Sequence, residues 1–191
     1  MDENEEIENV MRSLSDVVGE KVNFDDGDIR VVGRTALINP ANRGRFYFFF
    51  YRPATARELP YYTLFPAVVN LNVEKETFIG ANLLYVAEQT RPAIIQFFQR
   101  YQTTKVGFPR SFFNYDIVKK FRLFRALLTP TIKQYRLNRI SSRIIELSPS
   151  AYTKFFTGPM GEALQRGFVK RGIKTIHFES RLKILNALLN K

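Results

Sequence analysis

The chain has 191 residues, of which 45% are hydrophobic, so it has enough apolar material to bury a core as a single domain. It contains no Cys and no Trp, which excludes disulfides, thiolate catalysis and cysteine-ligated metal sites. The formal net charge of +11 favours a polyanionic or acidic partner.

The charge is divided unevenly between an N-terminal segment and the rest of the chain. Residues 1–28 hold ten acidic and two basic side chains, a net charge of −8, so residues 29–191 carry a net charge of +19. This asymmetry predicts an acidic arm, residues 1–28, beside a basic domain, residues 29–191. The basic domain could attract nucleic acid through counterion release, or it could dock on acidic protein neighbours in an assembly.

Apolar residues at three- and four-residue spacing predict a helix from Asp2 to Val18. Its apolar stripe includes Ile7, Met11 and Leu14, and we expect these three side chains to contact a partner. Two roles are open for this arm: it could fold over the basic domain and compete with nucleic acid, or it could dock on another subunit. The stripe favours docking, because an electrostatic mimic needs no apolar face.

The N-terminus and the apolar runs lead to expectations about location. The first ten residues are acidic, whereas a signal peptide is basic and then apolar. The longest uncharged apolar runs, such as Ala67 to Val73, are far shorter than the roughly 18–20 residues of a membrane span. We therefore expect a protein that is made in the cytoplasm and makes no contact with a membrane.

After a turn-rich connection from Gly19 to Gly33, the chain has the pattern of a small antiparallel sheet. Phe46 to Tyr51 is an aromatic run of strand length, and its rings on alternate faces predict a strand covered on both sides. Ala67 to Val73 and Thr77 to Val86 predict a hairpin. Gly80, within the second strand, indicates a bulge or a close backbone approach.

The chain then becomes helical before it returns to the sheet. A helix is predicted from Arg91 to about Tyr101, with Pro92 at a favourable early position. Two more helices are predicted, from Asp116 to Leu128 and from Thr129 to Ile140. The later predicted elements are a strand from Arg143 to Leu147, a short helix over Ala151 to Phe156 capped by Ser148, a strand from Ile173 to Phe178, and a last helix capped by Ser180.

Together these elements predict an α+β fold. We expect either a small, curved antiparallel sheet or an SH3-like barrel. Basic helices are inserted between residues 91 and 140, and an N-terminal helical arm precedes the domain.

Residues able to carry catalysis are sparse. The single histidine, His177, falls in a predicted strand and is expected to be structural. The sequence has no nucleophile elbow, no glycine-rich phosphate loop and no dinucleotide fingerprint. Acids are dense only in the arm, where Asp25 to Asp28 lack the ligand spacing of a calcium loop. We therefore expect a protein that is not an enzyme and that binds no metal and no cofactor.

Basic residues are concentrated between residues 100 and 143, where Asp116 is the sole acid. An ordinary solvated face mixes both signs of charge, so this imbalance favours a polyanion or an acidic subunit as partner. Base-specific readout is not supported, since the sequence has no zinc finger, basic zipper or RRM aromatic signature. The residues predicted to contact the polyanion are Arg100, Lys105, Arg110, Lys119, Lys120, Arg122, Arg125, Lys133, Arg136, Arg139 and Arg143.

The segment from Gly44 to Arg91 resembles small proteins of large contractile-tailed bacteriophages. In that family an aromatic strand leads to Leu-Pro-Tyr-Tyr-Asp-x-Phe-Pro, then to a strand, a Gly-(Leu/Ile)-Asn-x-His-Tyr strand and an arginine that opens a helix. The stretch from Ser142 to Pro149 also resembles the family's return strand. The sequence departs from the pattern at Thr63, Ala67 and Leu84, where the family has Asp, Leu and His. The matching positions are Leu59, Pro60, Tyr61, Tyr62, Phe65, Pro66, Gly80, Asn82, Tyr85 and Arg91.

The resemblance implies a virion component or a phage DNA-metabolism protein. The leading hypothesis is a non-enzymatic structural or assembly protein of the virion, at a neck, tail or baseplate joint, that binds other phage structural proteins. The alternative is a sequence-independent DNA-binding protein that coats or protects DNA ends. The proline-rich loop presents Tyr61, Tyr62 and Phe65, which we expect to contact either the core or a partner.

Overall fold

The computed structural model describes residues 29–100, 102–104, 111–113, 120, 122, 125–126, 129–148, 151, 154 and 168–189. The predicted acidic arm, with Ile7, Met11 and Leu14, lies outside the described residues. Most of the helix predicted from Asp116 to Leu128 also lies outside them, although Arg122, Arg125 and Ala126 within it are helical.

The described residues form strands, short 3-10 turns and two helices with described bounds. The strands are β1 (Ile29–Val32), β2 (Phe46–Phe48), β3 (Tyr62–Thr63), β4 (Ala67–Val73), β5 (Thr77–Asn82), β6 (Gln102–Thr104), β7 (Ser111–Phe113), β8 (Ile132–Arg136), β9 (Ile144–Leu147) and β10 (Phe168–Val169). The helices are the Arg91 helix (Arg91–Arg100) and the C-terminal helix (Ile173–Leu189). The 3-10 turns are Arg34–Ala36, Pro40–Asn42, Leu83–Tyr85, Glu88–Thr90 and Leu137–Arg139.

Six strands form one antiparallel sheet in the order β1-β9-β2-β4-β5-β8. A barrel requires the first and last strands to pair, but β1 pairs with β9 and β8 pairs with β5. The sheet is therefore open, and the SH3-like-barrel alternative is wrong. The fold is α+β, as predicted, with a small antiparallel sheet and helices.

The central strand β2 is covered on both faces, as its aromatic run predicts. Phe46 and Phe48 are buried in a cluster that includes Ile94 and Ile95 of the Arg91 helix. The opposite face carries a second cluster, which we name the aromatic cluster. It consists of Tyr47, Phe49, Tyr51, Phe78 and Tyr135 together with Leu37, Val68, Ile140 and Ile144.

Strands β4 and β5 form the predicted hairpin, but β5 ends at Asn82 rather than at the predicted Val86, because Asn82 Oδ1 accepts a hydrogen bond from the Leu84 N–H and starts a 3-10 turn. The hairpin contains both features indicated by Gly80. The register shifts between Asn70 and Asn72, so β4 bulges opposite Gly80. A Cβ at Gly80 would lie 3.1 Å from Val68 Cβ and 3.3 Å from the ring of Tyr135. Both distances are tight, so glycine allows β5 to pack closely against its neighbours.

The edge strand β8 replaces the helix predicted from Thr129 to Ile140, which is wrong. In β8, Tyr135 is opposite Phe78, and their stacked rings have centroids 5.2 Å apart. Tyr135 is buried whereas the next residue, Arg136, is exposed, which is the alternation of a strand. Lys133, Arg136 and Arg139 recur every three residues, which is typical of one face of a helix. The segment nevertheless forms a strand, because Tyr135 is buried in the aromatic cluster while its neighbours along the chain point away from it.

The C-terminal helix begins at Ile173, so the predicted strand from Ile173 to Phe178 and the predicted cap at Ser180 are wrong. Ile176 and Ser180 are both buried, and their four-residue spacing places them on one face of the helix. Ser180 Oγ donates a hydrogen bond to the carbonyl of Tyr85 at 2.6 Å. The alternating apolar pattern from Ile173 to Phe178 predicts a strand. The segment is a helix because Ile176 and Ser180, four residues apart, both pack in the region of Tyr85.

The first strand, β1, lies within the stretch from Gly19 to Gly33 that is predicted as a turn-rich connection, so that prediction is wrong for β1. It pairs antiparallel with β9, and Arg30 forms an ion pair with Glu146 at 2.9 Å. Strand β9 itself forms as predicted. Ser148 also acts as the predicted cap, since its Oγ accepts a hydrogen bond from the Ala151 N–H at 3.1 Å.

The Arg91 helix begins where predicted, and its first side chain also ties the helix to the sheet. Arg91 is fully buried, and its Nε lies 3.2 Å from the Leu83 carbonyl oxygen and 3.3 Å from that of Val86. Both carbonyls belong to the connection between β5 and the helix. Burial lowers the pKa of Arg91 to about 10, with the charge of Glu88 acting in the opposite direction.

Candidate functional site

The predicted polyanion-binding residues do not form one track along two helices. Instead, β8, its following turn and the approach to β9 carry several of them. The exposed members of the set are Lys120, Arg122, Arg125, Arg136, Arg139 and Arg143, and Lys133 is half-buried. Arg100 ends the Arg91 helix, whereas Lys105, Arg110 and Lys119 lie outside the described residues. The exposed bases are open to solvent, but the fold spreads them over several elements.

The three aromatic residues of the proline-rich loop pack against their own domain. Tyr61 is buried, with its ring centroid 5.7 Å from that of Tyr85. Phe65 stacks on Phe48 with centroids 6.1 Å apart. Tyr62 is half-buried on β3, which pairs with β10. The loop aromatics were expected to contact either the core or a partner, and Tyr61 contacts the core.

The C-terminal helix has an exposed apolar face that was not predicted as a site. Its members recur at spacings of four, three and four residues, which places them on one side of the helix. We name this face the outer stripe; it consists of Phe178, Leu182, Leu185 and Leu189, which are 61%, 43%, 51% and 75% exposed. The signal is present in the sequence, but it emerges only when the segment from Ile173 is treated as one helix.

Basic side chains border the outer stripe. Lys174 and Arg181 are exposed, and each lies four positions before a stripe residue. Arg122 donates a hydrogen bond to a backbone carbonyl in the last turn of the helix. The single acid of the helix, Glu179, lies off the stripe and pairs with Arg171. The border of the stripe that the structure describes is therefore predominantly positive.

Tyr61 and Tyr85 lie between two cations on the inner side of the C-terminal helix. The guanidinium carbon of Arg171 is 5.7 Å from the ring centroid of Tyr61, and Lys133 Nζ is 4.8 Å from that of Tyr85. Burial lowers the pKa of Lys133 to about 8, and repulsion from Lys183 contributes to the same shift. Burial also raises the pKa of Tyr85, so this hydroxyl stays neutral near pH 7.

Lys133 lines a cavity of about 330 Å³ beside β8. None of the described residues that line this cavity is acidic. Its walls combine aromatic, small and polar residues, and its aromatic and charged lining residues are Tyr51, Tyr62, Tyr85, Tyr135, Lys133 and Arg136. The arrangement offers flat rings for stacking, hydroxyl groups for hydrogen bonding and positive charge.

The loop that forms one wall of this cavity is held in place by Lys170. Its Nζ donates hydrogen bonds to the carbonyl oxygens of Ala56 at 2.7 Å, Arg57 at 2.9 Å and Leu59 at 2.7 Å. Lys170 has a φ of 75°, a left-handed backbone conformation that residues other than glycine rarely adopt. The wall is thus tied to the turn between β10 and the C-terminal helix.

His177 lies in the C-terminal helix rather than in the predicted strand. It is half-buried, its Nε2 is 3.3 Å from the Leu84 carbonyl oxygen, and burial lowers its pKa. Among the residues that the structure describes, no group of three or more His, Cys, Asp or Glu is placed to hold a metal ion. No helix in the described part of the chain is both long and apolar enough to cross a membrane.

Function is inferred from the outer stripe, the exposed bases and the cavity beside Lys133. Comparison of this chain with protein-family models, curated proteins and solved structures finds no match.

Proposed function

We propose that this protein is a non-enzymatic structural or assembly component of a contractile-tailed bacteriophage virion, at a neck, tail or baseplate joint. It is made in the host cytoplasm and enters the virion through contacts with other phage structural proteins. The resemblance of residues 44–91 and 142–149 supports the phage context. The outer stripe of the C-terminal helix supports the assembly role.

The outer stripe is the observation that carries the proposal. Single exposed apolar residues are ordinary, but a continuous stripe of four large ones on one helix face is typical of an interaction surface. Covering it would contribute about 25 cal/mol for each Å² of apolar surface removed from water. The helix is anchored to the domain through Ser180 and Ile176, so the stripe is presented on a fixed support.

The charges around the stripe indicate the chemistry of its partner. Lys174, Arg181 and Arg122 border it, which favours an acidic partner. A straight apolar stripe on one helix fits the apolar face of a second amphipathic helix. The partner is therefore an acidic amphipathic segment of a neighbouring subunit, and residues 1–28 of this chain, with a net charge of −8, have the same chemistry.

Combining Leu182→Glu with Leu185→Glu is expected to abolish this docking without unfolding the domain. Leu182 and Leu185 are about half exposed and lie on the outer face of the helix, so the free energy of unfolding should change by less than about 1 kcal/mol. Affinity for a synthetic peptide of residues 1–20, used as the acidic amphipathic probe, should fall at least about tenfold. The blue shift of Phe178→Trp emission measures binding, because the chain has no other Trp.

Gln89→Glu combined with Asn138→Glu is the matched control. It adds the same charge at exposed positions of two 3-10 turns outside the C-terminal helix, where exposed residues such as Thr175 and Asn186 lie at helical spacing from Leu182. This control should retain most of the affinity. Equal reductions of affinity in the two double variants would contradict apolar docking. Phe178→Trp emission that is already blue-shifted in the dilute monomer would also contradict the proposal, because the chain's own arm would then cover the stripe.

A second candidate function is sequence-independent binding of DNA, including coating or protection of DNA ends. It is favoured by the exposed bases of the predicted set, which could contact phosphates without reading base edges. They lie on the edge strand, in the turn after it and in the helical residues near Arg122. This function requires no apolar stripe, so the two candidates are separable.

Charge reversal of Lys120, Arg122 and Arg125 to Glu is expected to weaken duplex DNA binding if this second function is correct. The slope of log K against log salt should become shallower by about one for each phosphate that the variant no longer binds. The control reverses three other exposed bases, Arg57, Lys75 and Lys174. Equal effects of the two triple variants would indicate non-specific attraction to net charge, and unchanged binding in both would argue against this interface.

A further inference from the structure

Lys133 occupies an unusual place for a charged side chain. It lies on the edge strand, half-buried, with its ammonium 4.8 Å above the Tyr85 ring, and it lines the cavity of about 330 Å³. Lys183 repels its charge, and Arg136 is the other charged residue in the described lining of the cavity. The described lining therefore carries positive charge and no carboxylate.

A partly desolvated ammonium is costly unless an anion pairs with it. The ring of Tyr85 offsets part of this cost, because its negative face attracts the cation. The remaining cost is one that an anionic ligand would remove. The lowered pKa of Lys133 is the expected consequence of burial without an acidic partner.

We propose that this cavity binds a phosphate monoester carried on a planar ring, of which a nucleoside 5′-monophosphate is the simplest example. The volume lies at the lower end of the ~300–1,000 Å³ typical of small-molecule sites, so the ligand is small. Lysine is a common phosphate partner that acts as a point charge, and Arg136 adds a second cation at the lining. The phosphate therefore faces Lys133.

The tyrosines supply the remaining contacts. Tyr62, which is half-buried, offers ring surface for a planar base, since flat rings pack well face to offset face, whereas the Tyr85 ring is buried beneath Lys133. Tyr51 also lines the cavity, and its hydroxyl accepts a hydrogen bond from the Arg136 N–H at 3.3 Å, so the hydroxyl keeps a proton that it can donate. Lys170 fixes the loop that forms one wall of the cavity through three backbone carbonyls. Both the strand and the loop that line the site are therefore held by the fold.

The test is calorimetric titration of the full chain with thymidine 5′-monophosphate at low salt and pH 7. Lys133→Gln should weaken binding at least about tenfold, because it removes a charge-assisted hydrogen bond. Lys75→Gln, which removes one exposed charge between β4 and β5 and touches neither proposed site, should change the affinity by less than about twofold. Thermal unfolding of both variants verifies that the domain is intact.

The dependence on pH provides a second readout. The titratable groups that line the cavity with Lys133 are Tyr51, Tyr62, Tyr85, Tyr135 and Arg136, and Lys183 repels its charge. Because Lys133 loses its proton as the pH rises through about 8, the affinity of the unmodified chain should fall between pH 7 and 9. The Lys133→Gln variant should show a flat profile over that range.

Three further ligands locate the source of the phosphate and can overturn the proposal. A 5′-phosphorylated oligothymidylate that binds better than its 5′-hydroxyl form, through Lys133, would support a strand terminus as the source. Binding of the mononucleotide alone would support a free nucleotide. Equal binding of thymidine and its monophosphate, an unchanged affinity in Lys133→Gln, or no saturable binding to any phosphorylated ligand would overturn the proposal.

Discussion

Phe49→Ala is expected to lower the free energy of unfolding by about 3–5 kcal/mol. Phe49 is 1% exposed, and its ring meets three aromatic neighbours edge-on. The ring centroids lie 6.2 Å from Tyr51, 5.9 Å from Phe78 and 5.7 Å from Tyr135. Truncation leaves a cavity among rings that belong to β5, β8 and the segment after β2, and these rigid side chains cannot collapse to fill it.

Urea unfolding followed by far-ultraviolet circular dichroism measures this effect. The control is Phe50→Ala at the next position, where the ring is half-buried and contacts Phe65 at a centroid distance of 5.2 Å. Because Phe50 buries less of its surface, its truncation should cost less than half as much as that of Phe49. A cost for Phe50→Ala equal to or larger than that for Phe49→Ala would show that the aromatic cluster is not the centre of stability.

Arg91→Met is expected to lower the free energy of unfolding by about 2–4 kcal/mol. Methionine keeps much of the apolar length of the side chain but removes the donor that the Leu83 and Val86 carbonyl oxygens share. The Leu83 carbonyl oxygen keeps the hydrogen bond from the Val86 N–H, so the loss falls chiefly on the Val86 carbonyl oxygen. A buried acceptor that loses a donor is costly, and we expect this cost to exceed the gain from removing a buried charge. The connection between β5 and the Arg91 helix should therefore loosen.

Arg57→Met is the control for Arg91→Met, because Arg57 is exposed and a surface substitution usually changes stability by less than about 0.5 kcal/mol. Hydrogen exchange should show the loss of protection concentrated between Leu83 and Arg91. An Arg91→Met variant as stable as the unmodified chain would mean that the hydrogen bonds of Arg91 only compensate for the burial of its charge.

The two proposed sites use different sides of the C-terminal helix and can be tested separately. The outer stripe faces solvent at Leu182 and Leu185, whereas Lys183 influences Lys133 on the other side. Variants of the stripe should leave mononucleotide binding unchanged, and Lys133→Gln should leave peptide docking unchanged. Both sites depend on Ser180, whose hydrogen bond to Tyr85 holds the helix against the domain.

The sequence pattern predicted an element correctly where the spacing of apolar residues along the segment matches the spacing of its buried residues in the structure. The aromatic run of β2 predicts burial on both faces, and Phe46 and Phe49 lie in clusters on opposite sides of the sheet. The hairpin of β4 and β5, with its tight contact at Gly80, and the helix start at Arg91 also follow from the sequence. In these segments the side chains that specify the element are neighbours along the chain.

Distant contacts decided the elements that were predicted wrongly. Whether residues 132–136 form a helix or a strand depends on Tyr135 meeting Phe78 and Phe49, which lie far away in the sequence. The C-terminal segment is helical through the contacts of Ile176 and Ser180 with the region of Tyr85. Strand β1 has only four residues and is stabilised by pairing with β9. A segment of four residues contains too few apolar and polar positions for their spacing to indicate a strand.

The sequence by itself determined the class of fold, the sign and size of the charge, and the list of bases available to a partner. The tertiary structure alone decided which of these bases are exposed and that Lys133 lies beside Tyr85 in a cavity. It also decided that the helix through Leu185 has an uncovered apolar face. The physical reason is that charge and apolar content are properties of single residues, whereas desolvation, cavities and exposed faces depend on distances between residues that only folding brings together.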